Sequence, residues 1–263
     1  MHSEQLRFAG HGGDAVGGTL VLPERATEGS SEGEGVGGLP AVLLVHEVFG
    51  VDDHMRDLAG GLAAQGFACL VPDLWAREGL PGPSPSVGDP TPAWPTATIR
   101  AAVAGLPDRR ALGDLEAGLR TLAERPEVDP DRVAAMGCCM GGTLAFLLAC
   151  TTRRPLAAVV DCYGRIVYRE LTEAKPSQPL ELALNLACPL LAQFGAADGS
   201  IPAEHVELLE QRLTMFSREF EIVVHPNAGH GFLNDTRPGY HAGAAEAAWA
   251  RTLAFLRAHT ADH

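Results

Sequence analysis

The run from Arg132 to Ala149 constrains this chain more than any other stretch. It opens on Val133-Ala-Ala-Met136, short and apolar enough for a buried strand, and ends on Thr143 to Ala149, which looks like a buried helix. Between them lies Gly137-Cys138-Cys139-Met140-Gly141-Gly142. A strand that enters a helix through so few residues must turn sharply, and neighbouring backbone crowds the residues flanking the turn. Glycine tolerates that crowding. In the pattern Gly-x-Cys-x-Gly the apex is Cys139, held out at the C-terminal end of a strand as a nucleophile would be. Only Cys139 has glycine both two residues before and two after it, so Cys138 is expected to be buried as a small apolar residue. The competing reading is a tightly packed strand–helix turn, or one that holds a phosphate at the helix N-terminus.

The chain's 263 residues fit one large α/β domain, and a single domain over 1–263 is expected. A formal net charge of −13 argues against nucleic acid or an anionic membrane as partner. No apolar run approaches the roughly 18 residues needed to span a bilayer. The start, Met1-His2-Ser3-Glu4-Gln5, lacks the basic-then-apolar order of a secretory signal. The six cysteines sit mostly inside apolar runs, which suits reduced thiols in a cytoplasmic protein. No Cys-x-x-Cys or His-x-x-x-His pair invites zinc, and no metal is expected.

One or two weak edge strands are expected between Leu6 and Leu22. The segment 24–38 is rich in Gly and Glu and reads as a mobile loop. From Pro40 onward, buried strands alternate with helices. Strands are expected at Pro40–Val45, Ala68–Val71, Val133–Met136, Leu156–Val160, Pro189–Phe194 and Glu219–His225. Helices are expected at His54–Gln65, Asp108–Glu124, Thr143–Ala149, Ala203–Phe216 and Tyr240–Ala258, with mixed polar sequence from Arg165 to Leu186. The order implies one doubly wound, mostly parallel sheet flanked by helices. A proline-rich insertion, 78–95, is either a pocket wall or a plain surface loop.

In such sheets ligands bind beyond the C-terminal strand ends. Four polar positions meet that condition: Cys139, Glu47 after Val45, Asp198 after Phe194, and His230 after His225. Cysteine, aspartate and histidine follow one another in the chain order of a hydrolase triad. A thiol needs a base to attack a carbonyl, which His230 between two glycines could supply, and Asp198 would orient that imidazole. Glu47 is costly to bury unless paired or protonated, and could hold or accept the thiol proton. The backbone N–H groups of Val48 and Met140 would form an oxyanion hole.

With these residues in hand, the chain resembles the dienelactone hydrolase family of α/β hydrolases. The likeness runs from about Leu39 to Leu256. Its anchors are His46-Glu-Val-Phe-Gly50, Val71-Pro-Asp-Leu-Trp-Ala-Arg77, Gly137-Cys-Cys-Met-Gly-Gly142, Gly195-Ala-Ala-Asp198 and Gly229-His-Gly-Phe232. The resemblance implies the α/β-hydrolase fold, a Cys139–His230–Asp198 triad, Glu47 as partner of the resting thiol, and no cofactor. It also implies lactone hydrolysis, the family's namesake activity. Two arginines hold the substrate carboxylate in family members that act on dienelactone. At one of those positions this chain has Asn234, with Arg237 three residues on; for the other, Arg77, Arg100, Arg109 and Arg110 are candidates. The expectation is a monomeric or weakly oligomeric hydrolase of small esters or lactones that works through a thioester. A non-catalytic binder of a small ligand on the same fold, or a redox pair of Cys138 and Cys139, are the alternatives.

Overall fold

The computed structural model describes residues 1–24, 38–80, 82–86, 89 and 94–261. Most of the expected Gly/Glu-rich loop, and parts of the proline-rich insertion, lie outside the described residues. Among the described residues no helix is long and apolar enough to cross a membrane.

Eight strands form one sheet: β1 (His2–Ala9), β2 (Ala15–Leu22), β3 (Leu39–Val45), β4 (Ala68–Pro72), β5 (Val128–Cys138), β6 (Val159–Cys162), β7 (Leu190–Gly195) and β8 (Phe220–His225). Their order is β1-β2-β4-β3-β5-β6-β7-β8. From β4 to β8 every pair is parallel, while β1 and β2 run antiparallel at one edge. The helices are α1 (Asp53–Ala64), α2 (Thr96–Gly105), α3 (Asp108–Ala123), α4 (Met140–Thr151), α5 (Ala203–Met215) and α6 (Ala242–His259). Residues 41 to 45 of β3 and 133 to 136 of β5 are wholly buried, as strands covered on both faces must be.

Several elements differ from the expectation: β1 starts at His2 rather than Leu6, α4 runs Met140–Thr151 rather than Thr143–Ala149, and three others depart further. Helix α2 was not anticipated, although Ile99, Ala102 and Val103, at helical spacing and half-buried, pack against the core. Strand β6 begins and ends later than Leu156–Val160, because the buried Asp161 interrupts the apolar run that would have marked it. Strand β5 is longer than its apolar core and passes through Pro130.

The turn between β5 and α4 shows why its glycines are there. A Cβ on Gly137 would lie 2.0 Å from the Gly141 carbonyl oxygen, one on Gly141 2.1 Å from that of Val45, and one on Gly142 2.2 Å from Asp161 Oδ1. None of these contacts is possible for a carbon atom. The end of β3 and the side chain of β6 therefore press directly on the turn. Asp161 also accepts the Gly164 N–H at 2.7 Å, so one buried carboxyl ties the turn to the segment that leaves β6.

That carboxyl is costly. Burial raises the Asp161 value to about 7, against the ordinary 3.8, although the Gly164 bond and His230 pull the other way. A folded-state value above the unfolded one means that the fold favours the neutral acid. The contribution is fully present below the unfolded value and is lost as pH rises through about 7.

Two predictions follow from this packing. Gly141→Ala should cost about 3 kcal/mol or more in chemical denaturation. Gly60→Ala in α1, where a Cβ meets nothing within 4 Å, should instead stabilise by about 1 kcal/mol. Equal effects at both positions would remove the crowding argument. Asp161→Asn keeps the acceptor for Gly164 and cannot ionise, so its stability advantage over the parent should grow from mildly acidic pH to above 7. A constant difference would show that Asp161 does not titrate with folding.

Candidate active site

Cys139 has φ 56° and ψ −119°, a conformation that is strained for any residue with a side chain. Its N–H donates to the Cys162 carbonyl at 2.9 Å, and its own carbonyl accepts from Thr143 at 3.2 Å. The thiol is thus held out from the strand end while α4 begins at the next residue. Cys138 is fully buried, and its thiol is pushed well up, first by its contact with Cys162 and then by burial.

A second crowded crossing brings the other strand ends together. A Cβ on Gly195 would lie 2.3 Å from the Ala228 carbonyl, and Ala197 N–H donates to that same carbonyl at 2.9 Å. Asn227 and Gly231 take positive φ on either side of His230. The imidazole so placed has Nε2 3.2 Å from Cys139 Sγ and Nδ1 2.7 Å from Asp198 Oδ2. Asp198 is buried, and its other oxygen accepts the N–H groups of Ser200 and Ile201 at 2.7 and 3.2 Å. Burial alone would pull the His230 imidazolium down. The hydrogen bonds to Asp198 and Cys139, with their charges, outweigh it and carry the value up to about 10. Burial would raise Asp198, but the His230 bond and charge and the two N–H donors hold it below the ordinary value. The edge of the Tyr163 ring, 5.3 Å from that of His230 between centroids, supports the imidazole from below.

Glu47 is 2% exposed, and burial raises its carboxyl against the opposing pull of His54 and Asn234. Asn234 Nδ2 donates to Glu47 Oε2, while its Oδ1 accepts from Thr236 N–H and Oγ1 at 3.0 and 2.7 Å. The residue at the expected carboxylate-binding position is therefore buried and engaged with Glu47. The neighbouring His46 serves the framework: Nε2 accepts the Leu74 N–H at 3.0 Å, so Nδ1 carries the proton toward the Glu47 carbonyl, 2.6 Å away. The N–H groups of Val48 and Met140 have no acceptor among the described residues.

The candidate arginines fare differently. Arg77 is bound by Asp14 and Asp114, and Arg110 by Glu78, so neither guanidinium is a free cation. Arg100 and Arg109 are exposed on α2 and α3. Arg237 donates to the carbonyls of Pro85 and Ser84 at 2.7 and 2.9 Å, pairs with Asp52 and lies 3.9 Å above the Phe49 ring. It pins the described part of the proline-rich insertion against the loop that carries Glu47 and Val48.

Arg165 was not singled out in the sequence. It follows Gly164 just beyond β6, is half-buried, and has no side-chain partner among the described residues. Its carbonyl accepts the Thr143 hydroxyl at 3.0 Å, in the first turn of α4. Burial and the nearby Arg169 pull its guanidinium value down, whereas the charges of Cys139 and Asp198 reach it and raise it. The only signal for it was its place in the segment that leaves a strand end, outside the four positions picked out in the sequence.

Comparison with known proteins points to one family. The profile of the "Dienelactone hydrolase family" matches residues 30–260. An Escherichia coli protein named "Putative carboxymethylenebutenolidase" is 37% identical over 221 residues, 84% of this chain and 78% of its own. A Bradyrhizobium protein, "Probable 2-oxo-3-(5-oxofuran-2-ylidene)propanoate lactonase", is 33% identical over 85% of each chain. Among solved structures, the "Putative Dienelactone Hydrolase" from Klebsiella pneumoniae superposes with a TM-score of 0.81 at 31% identity, covering 97% of this chain and 99% of that one. This chain belongs to the dienelactone hydrolase family, with its α/β-hydrolase fold and its carboxylic ester hydrolase chemistry.

Proposed function

We propose that the protein hydrolyses small esters or lactones by acylating Cys139. The observation that carries this reading is the chain of contacts from Cys139 Sγ through His230 to Asp198, at 3.2 and 2.7 Å, on one edge of the sheet. As the thiol proton leaves, the thiolate attacks the carbonyl carbon and the Val48 and Met140 N–H groups receive the developing oxyanion. A donor of this kind contributes about 3 to 4 kcal/mol in the transition state. Protonated His230 gives its proton to the leaving alkoxide and, now neutral, takes one from water. The resulting hydroxide attacks the thioester, and the acid departs as the thiolate is expelled. Asp198, held ionised by its three donors, keeps the imidazole in the required orientation throughout. Glu47, whose buried carboxyl favours a proton, takes or returns the proton that separates resting thiol from thiolate.

The substrate class follows from charge. Arg165 is an uncommitted cation beside Cys139, with Arg169 adding to its field. A substrate carboxylate would neutralise it. The Bradyrhizobium relative is named for a lactone that is itself a propanoate, which supports the same reading.

Cys139→Ala should lower turnover of an activated aryl ester by about 10³-fold or more, with an unchanged melting transition. Undiminished turnover would sink the nucleophile assignment. Arg165→Gln should raise KM about tenfold for an aryl hemiester with a free carboxylate, the loss of one charge-assisted hydrogen bond, and leave a neutral ester unaffected. Equal changes for both esters would remove Arg165 from substrate recognition.

A further inference from the structure

An oxyanion hole works only if its N–H groups already point to where charge develops. At Met140 the first turn of α4 provides this. Val48 lies in an irregular loop, where a peptide unit rotates unless something holds it. The Glu47–Val48 peptide is planar and trans, so its carbonyl and its N–H point in opposite directions. Whatever holds the Glu47 carbonyl therefore aims the Val48 N–H. Two donors hold it: His46 Nδ1 at 2.6 Å and the Gly50 N–H at 3.2 Å. His46 is wholly buried, and its Nε2 accepts the Leu74 N–H at 3.0 Å, which leaves the proton on Nδ1. Burial lowers its imidazolium value, ahead of the opposing Glu47 bond and the charges of Asp73 and Asp52, so the ring stays neutral and keeps that tautomer.

The next peptide is fixed as well. Trp75 Nε1 donates to the Val48 carbonyl at 3.1 Å. Its indole closes on Gly50, where a Cβ would lie 3.2 Å from Cδ1 and 3.3 Å from Pro83 Cα. The Ser84 N–H then donates to the Phe49 carbonyl at 2.7 Å. All three carbonyls from Glu47 to Phe49 are thus engaged, while the Val48 N–H between them has no acceptor among the described residues. Leu74 and Trp75 both lie in the segment that leaves β4, where Asp73 Oδ1 accepts the Trp75 N–H at 3.0 Å.

We propose that His46 and Trp75 are positioning residues for the oxyanion hole, holding the two peptides that meet at Val48 so that its N–H faces the reacting carbonyl. The proposal rests on the role given to Val48 above. Neither side chain touches a reacting atom. His46 acts through the Glu47 carbonyl and Trp75 through the Val48 carbonyl. The exit of β4 thereby braces the exit of β3, and the described part of the proline-rich insertion completes the brace through Ser84. As the thiolate adds to an ester, the new S–C bond forms and the carbonyl π pair moves onto oxygen, where the Val48 and Met140 N–H groups receive it. A loop held beforehand needs no reorganisation at that moment.

The test compares two reactions of Cys139. Acylation by a neutral aryl ester builds charge on a carbonyl oxygen. Alkylation by iodoacetamide, followed by the mass of the Cys139 peptide, displaces iodide and builds no such charge. In Trp75→Phe, which keeps a ring and removes the N–H donor, kcat/KM for the ester should fall about tenfold or more while the alkylation rate stays unchanged. His46→Leu should show the same split, and His46→Asn, whose amide nitrogen can take the place of Nδ1, should recover part of the loss. A trifluoromethyl ketone, whose adduct with Cys139 carries the oxyanion, should bind more weakly by the same factor as kcat/KM in each variant. Unchanged ester turnover in Trp75→Phe overturns the proposal, and this variant carries the test alone where His46→Leu does not fold. An equal fall in acylation and alkylation also overturns it, by moving the effect to the thiol or to the fold. A parent enzyme that iodoacetamide labels at Cys139 without loss of turnover would refute the nucleophile reading itself, and the brace with it.

Discussion

The site depends on how closely the turn after β5 is pressed between its neighbours. The Val45 carbonyl at the end of β3 and the Asp161 carboxyl of β6 leave no space for a side chain at Gly141 or Gly142. With those positions closed, the chain has one way from strand to helix, and Cys139 takes the left-handed conformation that results. Helix α4 then starts at once and runs buried through the core, with the positive end of its dipole beside the thiol. The same crowding extends to Gly164, where a Cβ would lie 2.4 Å from Thr143 N. Tyr163 and Arg165 flank that glycine, so the ring beside His230 and the half-buried Arg165 guanidinium are both placed by the turn. Backbone packing in this molecule sets the positions of the reacting groups before any of them interacts with another.

The electrostatics are arranged in two layers. At the surface of the sheet edge, His230 carries a proton up to about 10 between an ionised Asp198 and the thiol. Below it, Glu47 sits where burial favours the neutral acid, and its partner is the uncharged amide of Asn234. A cation in the place of Asn234 would hold Glu47 as a carboxylate. An amide does not.

Much of this was legible beforehand. Strands buried on both faces print continuous apolar runs, so β3, β4 and β7 were expected within a residue or two of where they lie. That Cys139, Asp198 and His230 converge could be read because each follows a strand end with glycine nearby, crowded at Gly137 and Gly195 and at positive φ at Gly231. What escaped had physical reasons. Helix α2 is short and its apolar stripe, Ile99, Ala102 and Val103, is only half-buried, so its periodic trace is weak. Asp161 concealed the end of β6 because a buried carboxyl breaks the pattern by which buried strands are recognised. The arginines escaped because a guanidinium at the end of a long side chain is committed by its partners in space. Arg77 and Arg110 found carboxylates from distant parts of the chain, while Arg165 found none among the described residues. Likewise nothing in local sequence shows that Asn234 reaches Glu47.

The central claim is that the acyl group passes through Cys139. It is tested most directly by quenching the enzyme in acid during turnover of an activated ester and measuring the mass of its peptides. The account predicts an acyl adduct on the peptide containing Cys139, labile to hydroxylamine as a thioester is, and absent before substrate is added. An enzyme that turns over without any such adduct, or that carries it on another residue, would contradict the account.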